Sequence, residues 1–384
     1  MSREEKKICI IGAGASGSMC ALLLSREYKN ITLYDFSEPL RTILPTGGGR
    51  CNLSNAVFDP KELAQNYPRG EKFLYSVFSR FGVYDTITLF NELDIKTYTQ
   101  ENGRIFPVSN SSKEVRDKIL KRIRHLNFRR EKVLKILPTQ TEFEIKTENG
   151  REKYTHVIVA TGGHFGYSML SNLGINIIDP KPSLVGLKTK EDFKEISGVV
   201  LKNIKSKDIS VSDDLLFTHF GISGPLTFTL SSIYARRNFP YTLNFELIEN
   251  DYDLQSILNT NPHKDIKNIL SEVLPKNFVK YFLIKSGISP EQKGHEINGK
   301  TRDKILNGLQ NFKITITGTD RGEETVTAGG VDLKEVEPKT LMSKKYKNLY
   351  FCGEVLDIDG FCGGFNLQNA WSTAYIVSRS IIND

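Results

Sequence analysis

Glycines at 12, 14 and 17, in Gly12-Ala13-Gly14-Ala15-Ser16-Gly17, have the spacing of a turn that holds a dinucleotide pyrophosphate. Gly12 turns the chain off a strand, Gly14 leaves backbone open to a phosphate, and Gly17 lets a helix pack close to the strand. Ala15 and Ser16 begin that helix, whose N-terminus aims unpaired N–H groups and a partial positive charge at the anion. Asp35 closes the next strand, where a carboxylate can accept from an adenosine ribose hydroxyl. The elements that must position these residues are legible. Lys7–Ile11 is an apolar, β-branched run, Ser18–Ser25 carries Met19, Leu22 and Leu23 at helical spacing, and Ile31–Tyr34 is a second strand.

A second cluster, Thr46-Gly47-Gly48-Gly49-Arg50-Cys51-Asn52, lies just beyond. The backbone N–H groups of Gly48 and Gly49 are unobstructed by side chains and Arg50 adds a fixed cation, a combination that wraps a pyrophosphate or a flavin edge. It lacks the Lys-Ser/Thr of a nucleoside triphosphate loop, and no GxSxG hydrolase elbow occurs.

The 384 residues, 39% hydrophobic and 25% charged, suit a globular chain of two domains. Five cysteines without a CxxC pair fit a reducing compartment, and six scattered histidines without ligand spacing predict no metal site. The stretch Ile8–Leu24 is interrupted by glycines and flanked by MSREEKK, so we read strand and helix, no membrane segment, and a cytoplasmic protein. The formal charge of +7 is densest at Lys118–Arg130. Ile119, Leu120, Ile123 and Leu126 give that run an apolar stripe, so it reads as a solvated helix face in preference to a nucleic-acid patch.

Segment 126–161 reads as a β meander ending in the buried strand Tyr154–Ala160, which enters Thr161-Gly162-Gly163. Asn348–Phe351 is a short strand, Gly353-Glu354 a turn, and Asn366–Ile382 a helix with Trp371 in its apolar face. The middle mixes strand-like pieces (Leu215–Thr218, Tyr241–Leu247, Lys313–Thr317) with a polar helical block at 253–308. The expected architecture is α/β, a nucleotide-binding domain at 1–183 and 325–384 interrupted by a β-rich insert at 184–324.

In order, GAGASG, TGGGRCNLSN, VIVATGG, LLFTHFGISGP, VTAGGVDLKEVEPKTLMSK and LYFCGEVLDIDGFCGGFNLQNAWSTA resemble the BaiN/YhiN-like family of bacterial FAD-dependent oxidoreductases over nearly the whole length. The resemblance implies a glutathione-reductase-type FAD-binding Rossmann-like domain with an inserted domain, and NAD(P)H as a transient donor. One branch of the family reduces conjugated double bonds of bile-acid intermediates. Two departures stand out: the segment His164–Leu173 is shorter than usual, and Pro39-Leu40-Arg41 replaces a Gly-Arg-Lys.

On this reading FAD lies extended. Adenosine is expected near Asp35 and Val133, pyrophosphate at Gly12–Gly17, with Ala160, Thr161 and Gly162 alongside. The isoalloxazine falls between the Gly47–Asn52 loop and Glu354–Gln368, with Gly353, Glu354, Gly364, Asn366, Leu367 and Gln368 as the C-terminal contacts. A helix starting at Gly364 would stabilise negative charge on reduced flavin. Cys51 and His219 are the candidate proton donors, with Tyr167 and Cys362 behind them. The expected reaction is hydride transfer from NAD(P)H through FAD to a small organic acceptor such as a conjugated C=C bond. The alternatives are a flavin-dependent RNA-modifying enzyme and a non-enzymatic flavin-binding sensor or scaffold.

Overall fold

The computed structural model describes residues 6–163, 165–320 and 326–384. The start of the acidic N-terminal flank, His164 of the shortened segment and residues 321–324 of the expected insert lie outside them. The chain divides into two compact units, Met1–Lys181 with Val326–Asp384, and Pro182–Thr325.

The first unit opens with β1 (Ile8–Ile11), a helix over Ala15–Leu24 and β2 (Ile31–Tyr34). Short strands β3 (Ser54–Asn55), β4 (Thr97–Thr99) and β5 (Arg104–Pro107) form a separate antiparallel sheet ordered β3-β5-β4. After β6 (Asn127–Arg129) comes the meander β7 (Val133–Pro138), β8 (Phe143–Thr147) and β9 (Arg151–Tyr154). Then follow β10 (His156–Val159) and β11 (Ile177–Ser183).

The second unit contains β12 (Leu187–Thr189), β13 (Val200–Ser206), β14 (Ser212–Thr218), β15 (Gly221–Ser223), β16 (Tyr241–Glu246) and β17 (Phe312–Thr319). The chain re-enters the first unit through β18 (Val326–Val331) and β19 (Leu349–Phe351) and ends in a helix over Phe365–Asn383.

The main sheet is parallel, ordered β19-β10-β1-β2-β6. Ile10 pairs with Leu33 on one side and Ile158 on the other, and every residue of β1, β2 and β10 is buried. Burial on both faces is the condition under which apolar, non-alternating runs form parallel strands. The first helix is buried from Ser16 to Leu24. A Cβ on Gly17 would overlap the Gly12 carbonyl and press on Ala160, so glycine is what lets this helix reach the strand. Trp371 of the C-terminal helix is fully buried, donates from Nε1 to the Leu53 carbonyl at 3.0 Å and meets Phe90 edge-on.

One expectation is corrected and another is made specific. Residues 127–129 are not part of the meander: Phe128 pairs with Leu33, and β6 satisfies the backbone groups that β2 would otherwise leave open at its edge. In the second unit the strand-like pieces belong to a closed barrel, β12-β15-β14-β13-β16-β17, around buried Phe217, Leu243, Phe245, Ile314 and Ile316. The polar block resolves into separate helices, Leu254–Thr260, Ile266–Leu270, Lys276–Lys285 and Gly299–Gln310.

Candidate functional site

The crevice lies at the carboxyl ends of the parallel strands, where open α/β sheets bind ligands. At one end Asp35 leaves β2 and its Oδ2 accepts the Ala13 N–H at 2.7 Å, while Oδ1 accepts the N–H and hydroxyl of Ser37. A groove beside it is lined by Gly12, Asp35, Val133 and Thr161, with Phe36 and Phe165 at its side. Those two rings meet edge-on at 4.9 Å and are about half exposed. Neither was singled out from the sequence, since a lone aromatic in a loop has no spacing to flag it.

The two ends of the chain meet beneath this groove. Ser16 Oγ donates to the Cys352 carbonyl at 3.3 Å, and the Gly353 N–H donates to Thr373 Oγ1 at 2.9 Å. Glu354 turns back, its Oε1 accepting the Thr327 N–H at 2.8 Å. Ala160 follows β10 and lies against Gly17, and among the described residues nothing lies within 4 Å of where a side chain would start on Gly162.

At the other end Gly47 and Gly48 adopt left-handed conformations, so Thr46–Gly49 is a tight turn. No atom lies within 4 Å of a Cβ built on Gly48. Arg50 is fixed there, Nε donating to the Gly47 carbonyl at 3.1 Å and the guanidinium lying 4.2 Å from the Phe106 ring centre. The turn abuts the N-terminus of the C-terminal helix: a side chain on Gly364 would collide with the Ser54 carbonyl and come within 2.8 Å of Asn52 Oδ1.

Whether this crevice suits FAD is tested by its unpaired polar atoms. Among the described residues, Asn52 Oδ1, Thr161 Oγ1, Tyr167 OH and Asn369 Oδ1 are buried without a hydrogen-bond partner. An unmet buried polar atom costs about 1–3 kcal/mol, so such atoms gathered at one crevice fit a polar ligand. Asn369 lies one helical turn before Thr373, on the face that meets Gly353. Its signal in the sequence is an amide within an otherwise apolar helical face. These donors and acceptors, with the open glycine backbone and two helix N-termini, fit a dinucleotide carrying a polar ring system.

Other expected residues are placed differently. Gln368 is spent in the core: Nε2 donates to Thr86 Oγ1 and Ser372 Oγ, and Oε1 accepts from Ser54. The Asn366 side chain brackets the backbone of Gly360 at 2.8 Å on both sides, leaving its backbone as the group that can face a ligand, and Leu367 is half-buried. Cys51 is fully buried and desolvation pushes its thiol up to about 12, so it is a poor proton donor at neutral pH. Burial, with Glu354 and Asp357 nearby, likewise raises the Tyr167 phenol. His219 lies exposed between β14 and β15 of the second unit, its ring edge-on to Phe220. The basic run is partly neutralised by the pairs Lys118–Glu114, Arg122–Asp94 and Arg129–Glu152. Among the described residues no helix is long and apolar enough to cross a membrane.

A family profile described as the HI0933-like protein Rossmann domain matches residues 6–380. The chain is 30% identical over 398 residues to the ribosomal RNA dihydrouridine synthase of Escherichia coli (strain K12), covering 97% of each. It is 27% identical over 411 residues to the 3-dehydro-bile acid delta(4,6)-reductase of Clostridium scindens, covering 97% of this chain and 98% of that one. The solved Mycobacterium smegmatis Sdh1 complex in the apo form shares the fold, with a TM-score of 0.51 at 11% identity, covering 98% of this chain and 68% of that one. The chain belongs to the HI0933-like family, FAD-binding oxidoreductases built on a Rossmann domain.

Proposed function

We propose that this protein is an FAD-dependent reductase that saturates a carbon–carbon double bond conjugated to a carbonyl, with NADH or NADPH as electron source. The observation that supports it is the shared chemistry of two relatives matched over nearly their full lengths. Making dihydrouridine saturates a uracil C=C beside a carbonyl, and a delta(4,6)-reductase acting on a 3-dehydro acid saturates C=C bonds conjugated to a ketone. Bound FAD supplies the hydride chemistry that side chains lack.

The protein's own residues bind and polarise. The first helix, starting at Ala15, would face the pyrophosphate, Asp35 the ribose, and Phe36 and Phe165 the adenine. Asn52 and Asn369 would accept from N–H groups at the polar edge of the ring through their Oδ1 atoms, and the helix starting after Gly364 would stabilise negative charge there. The Cys51 and Tyr167 protons are held tightly, so neither is the expected proton source. No second GxGxxG marks a separate pyridine-nucleotide domain, so the donor docks transiently.

A finer second reading, with a uracil of ribosomal RNA as the reduced group, is favoured by the Escherichia coli relative and the formal charge of +7. The test is anaerobic. Purified yellow protein should bleach with NADH or NADPH and regain colour with a steroid enone or a ribosomal RNA transcript. Dihydrouridine in the recovered transcript would select the RNA reading, and a flavin that neither nucleotide reduces would refute the nucleotide-linked reductase.

A further inference from the structure

Arg50 and Arg104 flank the start of the C-terminal helix, and their chemistry goes beyond holding a cofactor. On β5, Arg104 and Phe106 are two residues apart and so share a face of the small sheet. The Arg50 guanidinium lies 4.2 Å from the centre of that same Phe106 ring. Arg104 is opposite Asn55 in the ladder, and Asn55 Nδ2 donates to the Gly363 carbonyl at 3.0 Å. Arg104 Nη2 lies 3.9 Å from Cys362 Sγ, beside the same turn. Both arginines are half-buried residues, and among the described residues neither has a carboxylate within ion-pair distance, although other arginines of this unit do, Arg69 with Asp359 and Arg116 with Glu38 among them. Asn52, two residues after Arg50, is nine-tenths buried beside Gly364.

Two guanidinium groups without counter-ions, one stacked on a ring and one fixed on a strand, are preorganised for an oxyanion, which arginine takes through paired N–H donors. We propose that Arg50 and Arg104 form a clamp for an oxyanion of the substrate, at the mouth of the site whose floor is the Gly48–Asn52 turn and the helix start. This rests on the reductase reading, which puts the reacting ring there. The substrates named for the relatives, a ribosomal RNA and a bile acid, are both anions. The shared chemistry is an oxyanion on the substrate, a phosphodiester in RNA or a carboxylate in a small acid.

The experiment measures binding, so that it stands apart from turnover. Oxidised holoprotein is titrated with an enone carboxylate, with its methyl ester, and with a uridine-containing ribosomal RNA fragment at several salt concentrations. Perturbation of the flavin absorption reports the small ligands and filter retention reports RNA. In wild type the acid should bind about tenfold more tightly than the ester, or RNA retention should fall steeply with salt. In the double variant Arg50→Gln/Arg104→Gln the acid–ester preference should vanish. Alternatively, the slope of log affinity on log salt should flatten by roughly 1.4, two single-strand phosphate contacts. Arg50→Lys/Arg104→Lys should recover part of either effect. Loss of acid preference identifies a carboxylate source, and loss of RNA affinity a phosphodiester.

A double Gln variant that binds anions as wild type does would overturn the clamp. So would one that loses FAD while keeping its anion preference, because the arginines would then be cofactor ligands, and so would a wild type indifferent to both anions. A wild type that binds the anion but reduces no acceptor would refute the reductase reading and leave the clamp standing.

Discussion

Asp35 Oδ2 accepts the Ala13 N–H at 2.7 Å, tying the end of β2 to the glycine turn. The carboxylate expected to hold a ribose thus also shapes the backbone that would face the pyrophosphate, and Oδ2, which accepts once, retains a lone pair for a hydroxyl. Asp35→Ala should lower FAD affinity by about 10- to 100-fold, the size of a charged hydrogen bond at about 1.5–3 kcal/mol. Asp35→Asn should fall between, since an amide can still accept once but cannot satisfy both N–H groups as well. Fluorescence titration of apoprotein with FAD decides this, and unchanged affinity in Asp35→Ala would refute it.

Gly17 and Gly48 separate a glycine needed for packing from one that faces the crevice. A Cβ at Gly17 overlaps the Gly12 carbonyl, so Gly17→Ala should cost at least about 1–3 kcal/mol as the helix is pushed off the strand. At Gly48 nothing lies within 4 Å, and the left-handed backbone (φ 67°) costs alanine about 1–2 kcal/mol. Gly48→Ala should therefore melt within a few degrees of wild type while retaining less flavin, measured by calorimetry and by the ratio of flavin to protein absorbance. Wild-type flavin content in Gly48→Ala would contradict the assignment of Gly48.

These contrasts show what could be read from the chain alone. The unit from β1 through the first helix to Asp35 is contiguous, so periodicity and glycine spacing determine it together. Gln368 was misplaced because a motif locates a backbone, whereas the direction of a side chain depends on Ser54, Thr86 and Ser372, far away in sequence. Asn369, one residue on, has the unpaired oxygen. Phe36 and Phe165 come together only through the fold. The barrel was only half legible because β12 and β15 are three-residue strands whose pairing is nonlocal, Leu187 with Ile222 for example.

Cysteine reactivity tests the site from another side. Cys9, Cys20, Cys51 and Cys352 are buried and Cys362 is exposed. Burial raises the thiols of Cys9 and Cys20 and pushes Cys51 up to about 12, so the thiolate that reacts with alkylating agents is scarce there. Iodoacetamide at pH 8 should label Cys362 at least about tenfold faster than the other four, read by peptide mass spectrometry. Cys51→Ser should keep most reductase turnover. Rapid labelling of Cys51, or loss of turnover in that variant, would restore it as a candidate acid.

His156 makes the stability of the first unit depend on pH. It opens β10 almost fully buried, with Nδ1 2.9 Å from Thr155 Oγ1 and the ring parallel to Tyr350. Desolvation, with Lys6 and Lys347 adding to it against the opposing pull of Asp384, lowers its pKa to about 4. The unfolded chain, near 6.5, takes up the proton first. The contribution is therefore complete above about pH 6.5 and is lost as pH falls from there towards 4, by roughly 2–3 kcal/mol at most. Melting temperature should drop between pH 7 and pH 5, and His156→Gln should flatten that dependence even where it lowers stability at pH 7. A variant with an undiminished slope would assign the acid sensitivity to other groups.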